Sequence, residues 1–125
     1  MLSKIHTEEA PAAIGPYSQA IAAGDCVFVS GQIGLDPASG ELKSADLDAQ
    51  ARQALSNLEA ILKAAGCGLN QVAAVDVFLR DMNDFAAFNG IYEAFFGSHR
   101  PARAVVAVKA LPKKAAVEIK CIAIR

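Results

Sequence analysis

Only two stretches of this chain carry helical periodicity, and strand-like segments crowd both ends around them. In the first, Leu47, Ala51, Leu55, Leu58, Ile61, Leu62 and Ala65 fall at helical spacing and make one apolar stripe. Asp46 stands where an N-terminal cap belongs, and Gly66 where a left-handed C-terminal cap belongs. Asp48/Arg52 and Glu59/Lys63 are favourable i,i+4 pairs on its outer side. The second stretch runs about Asn83–Phe96, with Phe85, Phe88, Tyr92, Phe95 and Phe96 mostly on one side, and Gly97 ends it.

The remaining patterned segments read as strands: Leu2–His6, Ser18–Ala23, Cys26–Ile33, Val72–Leu79, Ala102–Val108 and Ala116–Ile124. Gly24-Asp25 is a short hairpin turn between the second and third. Ala10–Tyr17 holds two prolines and a glycine, which forbid a helix interior and make a shaped loop delivering Tyr17. The order β-β-β-α-β-α-β-β predicts an α+β fold, a mixed sheet with both helices on one face. No helix is left to cover the other face, so further copies of the chain are its natural cover. Hydrophobic residues make up 54% of the chain, which fits that expectation. The 125 residues fit one domain, 1–125, which buries about two-thirds of its unfolded surface without a disulfide or metal staple.

Several chemistries lack their residues. The two histidines, His6 and His99, join no cluster with metal-ligand spacing. Cofactor-binding GxGxxG, phosphate-binding GxxxxGK[ST] and nucleophile GxSxG patterns are missing. Cys26, Cys67 and Cys121 are odd in number and have no CxxC spacing, so they read as free thiols of a reducing compartment. No apolar run approaches a membrane span, and the N-terminus does not read as a signal peptide. The expectation is a cytoplasmic protein without cofactor, metal or membrane partner.

Charge is unevenly spread. Residues 1–96 hold 5 Lys/Arg and 12 Asp/Glu, whereas residues 97–125 hold 7 Lys/Arg and only Glu118. Opposite charges can meet inside the fold or between subunits, or the basic part can serve an anionic ligand. Arg103 and Glu118 are ionisable residues within otherwise apolar strands. Pairing of the last two strands as a hairpin about Ala110–Leu111 brings them together. They then form either a structural ion pair or a site in which the planar fork of Arg103 grips a carboxylate.

The run Pro101-Ala102-Arg103-Ala104-Val105-Val106-Ala107-Val108-Lys109-Ala110-Leu111, with Val117-Glu118-Ile119 beyond it, resembles the signature of the RidA/YjgF family. Ala10–Gln19, Ser30-Gly31-Gln32-Ile33 and Asp84–Phe96 resemble its other motifs, in the same order. The resemblance implies a chorismate-mutase-like fold and a trimeric barrel with helices outside and three clefts between subunits. It implies a 2-iminobutanoate/2-iminopropanoate deaminase, which hydrolyses reactive enamines and imines such as 2-aminoacrylate to 2-keto acids and ammonia. By motif match, Tyr17, Gly31, Asn89, Arg103 and Glu118 line the cleft, with Arg103, Glu118 and Tyr17 in catalytic roles and Gly31, Asn89 and Val105 contacting substrate. Many members carry cysteine where this chain has Val105, so a thiol there is not required and only the backbone of that residue can contribute. Three alternatives remain: a family member acting on another imino acid, a non-catalytic ligand sensor or chaperone-like protein, and a ribonuclease or translation inhibitor. Nucleic acid is a poor fit, because Arg100, Arg103, Lys109, Lys113 and Lys114 are not interleaved with aromatics for base stacking.

Overall fold

The computed structural model describes all 125 residues. Six strands, β1 (Leu2–Ile5), β2 (Ala20–Ala23), β3 (Cys26–Gln32), β4 (Val72–Leu79), β5 (Ala102–Ala107) and β6 (Val117–Ile124), form one sheet in the order β1-β2-β3-β6-β4-β5. Two helices, α1 (Leu47–Ala64) and α2 (Phe85–Phe96), complete the α+β fold expected from the sequence. Every neighbouring pair is antiparallel except β4 and β5, which are parallel and joined through α2. No helix is long and apolar enough to cross a membrane.

The expected hairpin of the last two strands does not form. β4 lies between β5 and β6. β6 alternates buried residues with half-buried or exposed ones along its whole length and takes an interior place, whereas β5 has no fully buried residue and ends at the sheet edge. Strand hydrophobicity thus decides the order, and the shortness of the Val108–Ala116 connection does not.

The expected helix ends hold for α1. The Asp46 carboxylate accepts from the Ala49 N–H at 2.8 Å. Gly66 adopts φ +79°, with Cys67 N–H donating to Leu62 C=O and Gly66 N–H to Lys63 C=O, which closes the helix in a Schellman turn. Asp48 and Arg52 pair at 2.7 Å; Glu59 and Lys63 do not. α2 starts two residues later than expected, because the Asp81 carboxylate takes the Asn83 N–H and tightens Met82–Asp84 into a 3₁₀ turn.

Both helices pack on one sheet face. Leu55, Leu58, Ile61 and Leu62 of α1 and Phe88, Tyr92 and Phe96 of α2 join Val27, Val75, Val77, Leu79, Ile119 and Cys121 in one core. Three buried amides tie loops to it. Gln50 accepts from Ala116 N–H at 2.7 Å and donates to Ser44 C=O at 2.8 Å. Asn57 donates to the Ile33 and Leu35 carbonyls. Gln19 bridges Thr7 and Pro11, holding the proline-rich loop. The opposite face stays open, with Phe28 at 46%, Ile124 at 46% and Val106 at 45% exposure.

Gly34 is where α1 meets the loop after β3. A Cβ there lies 2.6 Å from the Gln50 Cα and carbonyl oxygen, both backbone atoms that cannot swing away. Gly34→Ala is therefore expected to cost about 1–3 kcal/mol of stability through overpacking, measured by urea denaturation; an unchanged midpoint refutes the contact.

Candidate functional site

Side chains alternate across a strand, so register decides which residues can meet. Val75 of β4 is opposite Arg103, and Phe78 of β4 is opposite Glu118. Val75 points into the helix-covered core, whereas Phe78, three residues on, points to the open face. Arg103 and Glu118 of one chain therefore face opposite sides of the sheet. Two strand spacings and three residues of rise separate them by roughly 14 Å. The expectation that they meet within one chain is overturned, and no ion pair joins them.

Each has its own hollow. Glu118 lies in a cleft of about 840 Å³ with Tyr17, Ser30, Gly31, Lys113 and Lys120. A β-bulge between Val29 and Gln32 puts Gly31 beside it. A Cβ on Gly31 falls 2.5 Å from Glu118 Oε2, 2.9 Å from Cδ and 3.1 Å from Cγ. The missing side chain of Gly31 is the space the carboxyl group occupies. Tyr17 is 54% exposed on the proline-rich loop. That loop is held by Gln19 and by Ser30, whose Oγ donates to Ser18 C=O at 2.6 Å and whose N–H donates to Gln19 C=O at 2.9 Å. Burial pushes the Glu118 carboxyl above its ordinary 4.5, with Lys120 pulling the other way.

Arg103 occupies a second hollow of about 510 Å³ with Phe85, Asn89, Tyr92, Glu93 and Arg100. Its Nη1 donates to Asn89 Oδ1 at 2.7 Å, and its Cζ lies 4.7 Å from the Tyr92 ring centre and 5.8 Å from that of Phe85. Glu93 is the one carboxylate lining the hollow, and it bonds Arg100 instead. Arg103 thus keeps its charge uncompensated, open to an anion. Val105, two residues along the same face, is half-buried against the core and lines neither hollow.

The structure brings Tyr17, Gly31 and Glu118 together, and separately Arg103 and Asn89. The sequence reading missed Lys113 as a wall of the first cleft. It stands at φ +56°, with Lys114 at φ +58°, left-handed conformations that no lysine signals. The turn is held by Arg80, which donates to Lys114 C=O at 2.5 Å. Phe85, read as one of the apolar side of α2, instead flanks Arg103. Lys120 could be found by alternation from Glu118. The thiols stand outside both hollows: Cys67 and Cys121 are buried, and burial pushes Cys121 up to about 12.

A six-stranded mixed sheet with two helices on one face defines an α+β fold of the chorismate-mutase-like kind, with one hollow at its edge and one on its open face. The endoribonuclease L-PSP family model matches residues 7–125, and this chain belongs to that family, the RidA/YjgF family of the motifs above. It is 52% identical to a RutC family protein of Pyrococcus horikoshii over 98% of each chain. It is 51% identical to the mouse 2-iminobutanoate/2-iminopropanoate deaminase, over 97% of this chain and 90% of that one. Among solved structures, the E. coli YjgF gene product superposes with TM-score 0.94 at 48% identity, and E. coli TdcF with bound serine with TM-score 0.94 at 44% identity. Each covers 98% of both chains.

The raised Glu118 fixes a sign. A carboxyl whose folded pKa exceeds its unfolded one favours the fold when protonated, and that support is lost as pH rises from the unfolded value through the folded one. Glu118→Gln is therefore expected to raise the melting temperature at pH 8, and the gain is expected to vanish below pH of about 4, where both forms are neutral. Thermal melts across that range decide it, and a destabilised variant at pH 8 contradicts the assignment.

Proposed function

We propose that this chain is a 2-iminobutanoate/2-iminopropanoate deaminase that works as a homotrimer, with each site joined from two subunits. The observation that carries this reading is the uncompensated Arg103 guanidinium on one sheet face and the half-buried Glu118 on the other. Neither half-site is complete alone. Packing of the open faces of three sheets covers Phe28, Ile124 and Val106, and brings the Arg103 edge of one copy to the Glu118 cleft of the next. The deaminase names of the mouse and human relatives support the chemistry. Serine bound to TdcF supports a small ligand with a carboxylate beside a nitrogen-bearing carbon.

The substrate is a small 2-imino acid in equilibrium with its enamine. Arg103 holds the carboxylate by charged hydrogen bonds, worth about 1.5–3 kcal/mol. Glu118 takes a proton from water as the oxygen adds to C2, giving a carbinolamine. That proton goes to the imine nitrogen to complete the carbinolamine; Glu118 then moves the hydroxyl proton to the same nitrogen, the C–N bond breaks, and ammonia leaves with the bonding pair as the C2–O bond becomes the ketone. One imine and one water give one 2-keto acid and one ammonia. The Tyr17 hydroxyl steadies the water or the leaving nitrogen, and Gly31 leaves room for the carboxyl and offers its N–H. An imine is already electrophilic, so fixed geometry supplies most of what the reaction needs. The raised Glu118 suits this, since a base nearer neutrality also returns the proton readily.

A coupled assay tests the reading: 2-aminoacrylate is generated from serine by a dehydratase, and pyruvate is followed. The chain is expected to speed pyruvate release. Arg103→Ala is expected to lower kcat/KM by about 10- to 150-fold, the loss of a charged hydrogen bond. Glu118→Gln is expected to lower it by about 10²–10⁴-fold, the usual worth of a general base. No acceleration by the unmutated chain refutes the function.

Mixing the two inactive variants, unfolded and refolded together, tests the shared site. Random trimers regenerate about one-quarter of the sites if each uses Arg103 of one subunit and Glu118 of its neighbour. Activity that stays at the level of the separate variants rules out sharing between subunits.

A further inference from the structure

Arg103 carries the charge of its hollow on a long side chain at an exposed sheet edge, where such a group ordinarily sweeps many rotamers. Three contacts from α2 restrain it. Tyr92 lies beneath the guanidinium with its ring centre 4.7 Å from Cζ, Phe85 flanks it at 5.8 Å, and Asn89 fixes Nη1 at 2.7 Å. These residues stand at 85, 89 and 92, one helical stripe that turns toward β5. Tyr92 is 7% exposed, and its hydroxyl is the one buried side-chain polar atom without a hydrogen-bond partner. What Tyr92 offers Arg103 is therefore its ring face and not its hydroxyl. Asn89 takes one of the five guanidinium N–H donors, and Nε and Nη2 bond nothing else in the protein.

We propose that Phe85 and Tyr92 are positioning residues for carboxylate binding, holding the Arg103 guanidinium as a pre-set fork whose Nε–Nη2 edge is free for the ligand. This rests on the reading of Arg103 as the carboxylate clamp. A fork held before the ligand arrives loses less rotamer freedom on binding. The rings do so without neutralising it, because their faces attract a cation yet carry no charge to compete with a carboxylate. Glu93, the acid that could compete, is occupied by Arg100 at 3.4 Å.

The test uses the full chain and two readouts. The first is the Arg103 Nε–H resonance of the ligand-free protein, assigned by its loss in Arg103→Lys. Ring currents are expected to displace it from the position of a free arginine, and Phe85→Leu is expected to move it back towards that position. The second is the split between KM and kcat in the coupled assay. Phe85→Leu, at a residue 37% exposed and so tolerant of change, is expected to raise KM about two- to fivefold with kcat nearly unchanged. Tyr92→Leu is expected to raise it further, and Tyr92→Phe, which keeps the ring, to restore KM. An unshifted Nε–H resonance in the unmutated chain, or a Phe85→Leu variant with unchanged resonance and KM, overturns the proposal. A displaced resonance in a chain without deaminase activity upholds the restraint of Arg103 and defeats the function instead.

Discussion

The two-residue period of β4 governs where the chemistry of this chain can lie. β4 is hydrogen-bonded to β5 on one side and β6 on the other, so its residues set the facing of both. Val75 commits Arg103 to the helix side, and Phe78 commits Glu118 to the open side. A slip of one residue in either ladder would reverse one assignment and carry apolar side chains out of the core with it. The core residues Val75, Val77 and Leu79 resist such a slip, and in doing so they keep the two ionisable groups apart.

That separation has an electrostatic consequence. Within one chain, an arginine and a glutamate on facing strands would pair and satisfy each other, leaving neither for a ligand. On opposite faces each keeps a different unsatisfied property. Arg103 keeps its charge, because its nearest partners are an amide and two aromatic rings. Glu118 keeps a reluctance to ionise, because burial beside Gly31 and Phe78 outweighs the pull of Lys120. The chain thus carries an uncompensated cation and a weakened acid on opposite faces of one sheet, and in the proposed trimer the apolar open face is what a second copy would cover.

Much of this was legible in the residues. The stripe of α1, its Asp46 and Gly66 ends and the uncovered sheet face follow from spacing and from counting helices. Gly31 was read as lining the cleft, and the carboxyl of Glu118 fills the space its missing side chain leaves. The sheet order was not legible, because a short connection between β5 and β6 suggests a hairpin while long-range pairing is set by which strands can bury both edges. The error mattered, since it placed Arg103 and Glu118 side by side. The role of Phe85 was hidden for a related reason: helical periodicity tells which residues share a stripe, but not that the edge of that stripe runs out over an arginine from another strand.

The same geometry leaves the proposed reaction no need of a thiol at position 105. Val105 lies on the face of Arg103, half-buried, with its side chain packed on the core. A cysteine of similar size would pack there as a small apolar group, with nothing cationic beside it except Arg103. Nucleophilic chemistry would need it exposed and ionised, and this position favours neither. Addition of water to an imine needs no covalent intermediate, because the carbon is electrophilic from the outset and the leaving group is a protonated amine. A held carboxylate, a placed water and a base of raised pKa suffice. In the proposed trimer these come from Arg103 and its aromatic cradle in one copy, and from Glu118 and Tyr17 in the other.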